Sequence, residues 1–545
     1  SILYRLIIAL ILGCIACPWL NAADDPLADD PLSLQLGVLA QTKLTKMPAQ
    51  IEVLVALNDS RVVPVLQAML DGRLYRRKSD NLLFIGVPGD DKSLAITNPL
   101  GGSETTVAPA SDLSRVAVNN RMRGQLRLAI AQLNLASEDE QQRFDAAQEL
   151  LGDVSPPVIA LLNQVAQAES SERVLAVVAD AQALAALQQD DALIRLKAVE
   201  QLTGNLQPVV LNALQSLTAL DAGGAPLESD PLVYERALKA IAGIKQEAEF
   251  YSSAETIFFG LSLGSVLLLS AIGLAITFGV MGVINMAHGE LIMLGAYTTY
   301  VVQLVLPNHL EYSLLVAVPL AFVVSGLVGV GIERGVIRFL YGRPLETLLA
   351  TFGISLILQQ AVRSIFSPLN RSVANPEWMS GALQLNPLFS LTYNRLYILV
   401  FSLVVFFLLL ALLKRTRLGL QFRAVAHNRA MPRAMGIRSA WVDAMTFGLG
   451  SGIAGIAGVA LSQLTNVGPN LGQAYIIDSF MVVVFGGVGN LWGTLVSAFS
   501  LGMANKFIEP VAGAVLAKIL VLIFIILFIQ RYPRGLFPQQ GRSVD

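Results

Sequence analysis

Gly273–Gly295 reads GLAITFGVMGVINMAHGELIMLG, an apolar run broken near its middle by Asn285, His288, Gly289 and Glu290. A bilayer offers no water to satisfy polar groups, so a histidine and a glutamate at this depth must face protein or a wet path. The glycines on both sides let the backbone bend or approach a neighbour closely. Two readings fit. Asn285, His288, Gly289 and Glu290 line a passage for a small polar solute, or they form an interfacial turn between two ordinary spans.

The rest of the chain sets this stretch in an integral membrane protein. Of 545 residues 54% are hydrophobic and only 14% charged, and mean hydropathy is +0.59, which excludes an ordinary soluble chain. The average hides two halves. Charge is frequent up to about residue 250, and long apolar runs dominate beyond it. A net charge of −2 with no basic, aromatic-interleaved stripe gives no nucleic-acid partner.

Residues 1–23 carry Arg5, an apolar core and small residues Asn21-Ala22-Ala23, the pattern of a cleaved signal peptide; a retained anchor is the alternative. Cys14 and Cys17 are the only cysteines and both fall there, so cleavage leaves a chain without disulfides or thiolate metal sites. The reading places residues 24–250 on the exported side of a bacterial inner membrane and residues 251–545 in it.

Self-similarity marks the exported half. Arg143, Ala146, Leu150, Gly152 and Pro156 recur at one constant offset as Arg195, Ala198, Leu202, Gly204 and Pro208. Each copy reads as helix, Gly/Pro turn, helix, which predicts a short helical solenoid of the HEAT kind. A weaker copy starts at Leu238, and an early unit over Ala49–Leu70 breaks at Asn58-Asp59-Ser60. Apolar runs flanking Pro88-Gly89-Asp90 predict a small β-hairpin insert. Gly86–Ser93 imitates a phosphate loop, but Asp91 stands where glycine must precede Lys92, and two aspartates repel phosphate.

In the second half, runs long enough to span begin near Thr256, Leu291, Leu314, Thr347, Leu396, Trp441 and Ala512. Arg334, Arg338 and Arg343, then Lys414 to Arg438, mark inner loops, and Arg531 and Arg534 an inner tail. Parity then requires Tyr475–Asn505 to cross twice, turning at Gly486, Gly487 and Gly489, so the count is about eight to nine spans. Lys518 is expected to snorkel at a span end. The segment Lys414–Arg438 is basic and amphipathic, with Phe422, Ala426 and Met431 near one side. It predicts a helix that docks on a cytoplasmic partner; the alternative is that its charge only fixes orientation. Three histidines and the absence of H-E-x-x-H, a nucleophile elbow or Walker motifs point away from an enzyme and a metal site.

ITFGVMGVINMAHGELIMLGAY, RFLYGRPLETLLATFGISLILQQ (Arg338–Gln360) and TRLGLQFRAVAHNRAMPRAMGI (Thr416–Ile437) resemble the permease subunits of the branched-chain (hydrophobic) amino-acid uptake family of ABC importers. The likeness covers nearly all of Thr256–Pro538. With IIDSFMVVVFGGVGNLWGT (Ile476–Thr494), AKILVLIFIILFIQRYPRGLF (Ala517–Phe537) and the helical extension, it looks most like the family's urea-transport permease. The resemblance implies a second related permease, two cytoplasmic ATP-binding subunits and a periplasmic solute-binding protein. ATP is hydrolysed by those partners, with no cofactor in this chain. It puts Arg417, Gly419, Arg423, Ala424, Ala434, Gly436 and Ile437 on the ATPase-coupling segment, and Asn285, His288, Gly289 and Glu290, with Gly486, Gly487 and Gly489, near the translocation path. The expected fold is therefore an all-α polytopic permease carrying an exported helical-repeat domain. The expected solute is urea or a related short amide. A branched-chain amino acid, or a membrane-anchored scaffold binding through its solenoid, are the alternatives.

Overall fold

The computed structural model describes residues 30–88, 93–100, 105–221, 223–428 and 430–538. The leader reading over residues 1–23, the centre of the phosphate-loop imitation at Gly89–Lys92, and Arg429 lie outside them. The chain divides into two compact units at Lys245/Gln246.

The first unit opens with helices α1 (Pro31–Gln41), α2 (Met47–Ala56) and α3 (Val62–Leu70), the break between α2 and α3 falling at Asn58-Asp59-Ser60. Five strands follow: β1 (Leu74–Arg77), β2 (Leu83–Pro88), β3 (Ser93–Thr97), β4 (Thr105–Pro109) and β5 (Leu113–Arg115). They form one antiparallel sheet in the order β4-β3-β2-β1-β5. The hairpin expected from the sequence is β2–β3, but it is the middle of a five-stranded sheet, so the β insert in the helical fold is larger than expected. The missed strands are short and polar outward, so their alternation carries little signal. Alternation still sets the faces. Leu74 and Leu83 join the core of α1–α3, while Phe84 packs on the other side with Leu94, Ile96 and Leu113.

Helices α4 (Asn120–Leu135), α5 (Glu140–Leu150), α6 (Pro156–Ala168), α7 (Glu172–Ala186), α8 (Ala192–Leu202) and α9 (Pro208–Leu217) complete the first unit around a second core. The sequence repeat is also a structural repeat. Pro156 and Pro208 each start a second helix, where a missing N–H costs nothing. Asp139 and Asp191 each cap the first helix by accepting from the backbone two residues on.

The second unit is helical apart from a β6 (Ala382–Asn386)–β7 (Phe389–Thr392) hairpin. α10 runs over Pro231–Met281; its residues up to Lys245 belong to the first unit, where Val233, Ala237, Ile241 and Ile244 are part of the core, and the rest belong to the second. α11 (His288–Val305), α12 (Leu310–Gly335), α13 (Pro344–Phe366), α14 (Tyr393–Arg415), α15 (Arg417–His427), α16 (Ala430–Ala434), α17 (Ser439–Ser462), α18 (Leu471–Gly486), α19 (Leu491–Ala512) and α20 (Ala514–Arg531) follow. Six described helices are long and apolar enough to cross a bilayer: α10, α12 with its short continuation to Phe339, α13, α14, α17 and α20. That is fewer than the eight to nine expected. α11 begins on His288 and Glu290, α18 has only 16 residues, and α19 carries Asn505, Lys506 and Glu509.

The glycine-rich α17 lies buried at the centre of this unit, against α11 and α12. Between apolar helices in lipid, close backbone approach supplies the packing that the hydrophobic effect cannot. Residues Tyr475–Asn505 do form two helices, joined by a turn at Gly487–Asn490. Lys518 does not simply snorkel. Its Nζ pairs with Asp478 Oδ2 at 3.0 Å, while the side chain stays half exposed.

Candidate functional site: a buried carboxylate beside a broken helix

α10 ends at Met281 because Gly282 takes φ +69°, a left-handed conformation that glycine adopts without steric penalty. The chain then runs through residues 282–287 without helix before α11 starts at His288. Asn285 Oδ1 accepts from the Ala287 N–H at 3.0 Å, and the Met286 N–H donates to Thr351 Oγ1 at 3.1 Å. The break thus finds one partner on α13, Thr351, that its own helix cannot give.

Glu290 lies in the first turn of α11, 1% exposed. Its Oε1 accepts from Gln359 Nε2 at 2.7 Å and from Ser355 Oγ at 3.0 Å. His288 Nε2 donates to the Ser270 carbonyl at 2.8 Å, which leaves Nδ1 as an acceptor. Three buried atoms in this cluster have no hydrogen-bond partner: Glu290 Oε2, His288 Nδ1 and Asn285 Nδ2. Each such group costs about 1–3 kcal/mol, an expense that pure packing would avoid with apolar side chains.

Asn285, His288 and Glu290 are all buried, but they face different neighbours: His288 turns to Ser270 on α10, and Glu290 to Ser355 and Gln359 on α13. Gly289 has a packing reason: a Cβ there would lie 2.5 Å from the Gly472 carbonyl of α18. Gly486, Gly487 and Gly489 serve the α18–α19 turn. Gly487 and Gly489 take positive φ, and a Cβ on Gly487 would lie 2.6 Å from the Phe537 carbonyl. The tail lies along this turn, with the Leu536 N–H donating to the Phe485 carbonyl at 2.9 Å. Backbone geometry gives each of these three glycines a local reason, with Gly489 also packed against Gly279 near the end of α10.

Sequence reading missed the α13 partners. Thr347, Thr351, Ser355 and Gln359 recur every fourth residue and are all buried, whereas Leu345, Leu349, Ile357 and Ile365 on the same helix are exposed. The four-residue spacing of polar side chains in PLETLLATFGISLILQQ was the available signal.

The basic segment forms α15 and α16. Thr416 caps α15 by accepting from the Gly419 N–H at 3.2 Å, and Gly419 is buried hard against the Leu413 backbone. Phe422 and Val425 pack into their own chain on Val442, so Phe422 is not the docking surface expected of it. Arg417, Arg423, Ala434 and Gly436 are exposed, with Leu420, Met431 and Met435, while Ala424 and Ile437 are half-buried. Gly436 has φ +85° and open space where a Cβ would project. A cavity of about 300 Å³ beside α15 is lined by Lys414, Phe422, Arg423, Ala426, Gly489, Asn490 and Trp492. The basic segment, the α18–α19 turn and the tail thus lie on one side of this unit.

Residues 256–529 match the family model described as branched-chain amino acid transport system / permease component, just over half of the chain. The high-affinity branched-chain amino acid transport system permease protein BraD of Pseudomonas aeruginosa is 30% identical over 299 residues, 53% of this chain and 96% of that protein. LivH of Escherichia coli K12, a permease protein of the same description, is 29% identical over 300 residues, with the same coverage. The ribose import permease protein RbsC of Escherichia coli K12 is 31% identical over 110 residues, 19% of this chain and 34% of that protein. No solved structure matches the chain.

Proposed function

From the premise that this chain belongs to the branched-chain amino acid transport system permease family, we propose that it is a transmembrane permease subunit of an ATP-driven importer in a bacterial inner membrane. Its solute is a branched-chain amino acid, as named for its relatives. The observation that carries the reading is the family match itself, which runs through Asn285–Glu290, the α13 stripe and the basic segment together.

The cluster at Asn285, His288 and Glu290 lies on the solute's route, closed off in this conformation. The exposed part of Arg417–Ile437 receives two cytoplasmic ATP-binding subunits, which supply the energy. A second related permease completes the membrane pair, and a periplasmic solute-binding protein delivers the solute. The largely exposed outer faces of α13, α14 and α20 suit lipid or that second permease. Residues 24–250 form the exported domain, a helical-repeat unit of the HEAT kind bearing the sheet, behind a leader at 1–23.

A second reading, urea or a short amide, is favoured by one specific observation. The partners bonded to Glu290 are a neutral amide and a hydroxyl, Gln359 and Ser355, as a small uncharged solute requires. The relatives are also almost fully covered by the second half of this chain, so their named solute says nothing of the first unit. Radiolabelled uptake in cells carrying the whole system decides between them. Leucine uptake that excess urea leaves untouched supports the amino-acid reading. Urea uptake that leucine leaves untouched replaces it with the amide reading.

A further inference from the structure

We infer that the polar edge of α13, formed by Thr347, Thr351, Ser355 and Gln359, is one wall of the solute path, and that α13 draws back from the 282–287 link to admit a solute bearing N–H donors. The inference rests on the importer reading above and assigns the wall of that same route.

α13 is divided lengthwise. Its exposed side is Leu345, Leu349, Ile357 and Ile365, and its buried edge is three hydroxyls and an amide, followed by Val362. In lipid, helices packed only for stability also turn small and hydroxyl-bearing residues inward. What sets this edge apart is that it meets a buried carboxylate, Glu290, and ionisable groups facing a bundle interior mark pathways.

The edge is also incompletely used. Glu290 Oε1 holds two donors while Oε2 holds none, and Asn285 Nδ2, next to the Met286 N–H that Thr351 accepts, is also unpaired. One acceptor and one donor are thus left over. That set fits a solute group with N–H donors beside a carbonyl or carboxylate oxygen, found in an amide such as urea and in the head group of an α-amino acid.

The bonds that close the seam are replaceable one for one. Met286 N–H to Thr351, and Ser355 and Gln359 to Glu290, are contacts whose partners a solute's own N–H and C=O groups reproduce. Exchange of like hydrogen bonds changes free energy little. Arg363, one further step along the same spacing, bonds Asn470 Oδ1 at 2.8 Å and ends the edge.

The test uses the whole importer in proteoliposomes, with Cys14→Ser and Cys17→Ser as background. Thr351→Cys, Ser355→Cys and, as an outer-face control, Leu349→Cys are exposed to a membrane-impermeant methanethiosulfonate at rest and after trapping with ATP and vanadate. Labelling of Thr351→Cys and Ser355→Cys at least tenfold faster in the trapped state, with no change at Leu349→Cys, is expected. Equal, slow labelling in both states overturns the inference. In parallel, Gln359→Leu is expected to raise the KM for uptake at least tenfold with kcat changed less, measured separately with labelled leucine and labelled urea. The affected solute identifies the source of the N–H group. Transport of neither by the unaltered complex defeats the importer reading, and the labelling still decides whether α13 is a wall.

Discussion

Gln359 Nε2 donates to Glu290 Oε1 at 2.7 Å across the seam between α13 and α11, while the other oxygen of that carboxylate is buried with no partner. Half of the carboxylate is held in place and half is left open. A residue needed only to pin two helices would use both oxygens.

Glu290→Gln keeps the size and removes one strong acceptor. Charge-assisted hydrogen bonds contribute about 1.5–3 kcal/mol, so initial uptake is expected to fall roughly 10- to 100-fold with membrane insertion unchanged. Unchanged uptake reduces Glu290 to a structural residue.

Gly436 sits at φ +85° with nothing near its missing Cβ. A bulky side chain there, as in Gly436→Leu, strains the backbone by about 1–2 kcal/mol and projects outward from the exposed basic segment. The chain is expected to insert normally, yet uptake and co-purification of the ATP-binding subunits should both drop by more than tenfold. Normal recovery of those subunits contradicts docking at this segment.

Gly289→Ala puts a methyl against the Gly472 carbonyl, a backbone atom that cannot turn aside. Overpacking of this kind costs about 1–3 kcal/mol. The expected result is a lower melting temperature and a smaller monodisperse fraction in detergent; an unaltered melt means that α11 and α18 are free to separate.

The repeat in the first unit makes a pH prediction. Arg143 Nε and Nη2 bond Glu169, and Arg195 Nε and Nη2 bond Glu228, while each Nη1 bonds two carbonyls of the turn before its helix. The arginine beside each carboxyl, helped by backbone N–H donors, holds both glutamates below the ordinary carboxylate value of 4.5. A lowered folded value stabilises at pH above the unfolded value and loses that contribution as pH falls through the folded one. Melting of the full-length protein in detergent, followed by circular dichroism, should therefore show a first-unit transition that is flat from pH 7 to about 5 and falls below 4.5. Glu228→Gln should lower it by about 2–4 °C at pH 7 and shrink the acid dependence. An identical pH profile in the variant excludes the pair as its source.

Much of this was legible in the residues. The constant offset of Arg143 and Arg195 located the repeat because each copy needs the same arginine, proline and core leucine to build its turn. The glycine turn near residue 487 was legible because only glycine takes those dihedrals cheaply. The sheet was less visible, since strands of three to six residues carry little periodicity and β2–β3 alone looked like a complete hairpin. The α13 partners of Glu290 were hidden for another reason: a polar residue every fourth position is modest along the chain and becomes a stripe only once the helix is wound. Phe422 failed because amphipathicity names a buried face without naming the body that buries it.

ATP-driven accumulation is the most direct test of the central claim that this chain conducts solute with energy taken from partner subunits. Proteoliposomes holding the whole complex, with the solute-binding protein and labelled solute outside and ATP available to the ATP-binding subunits, are expected to concentrate solute inside above its outside level. Without ATP they should remain at background. Equal entry with and without ATP, stopping at the outside concentration, contradicts the account and describes a passive channel.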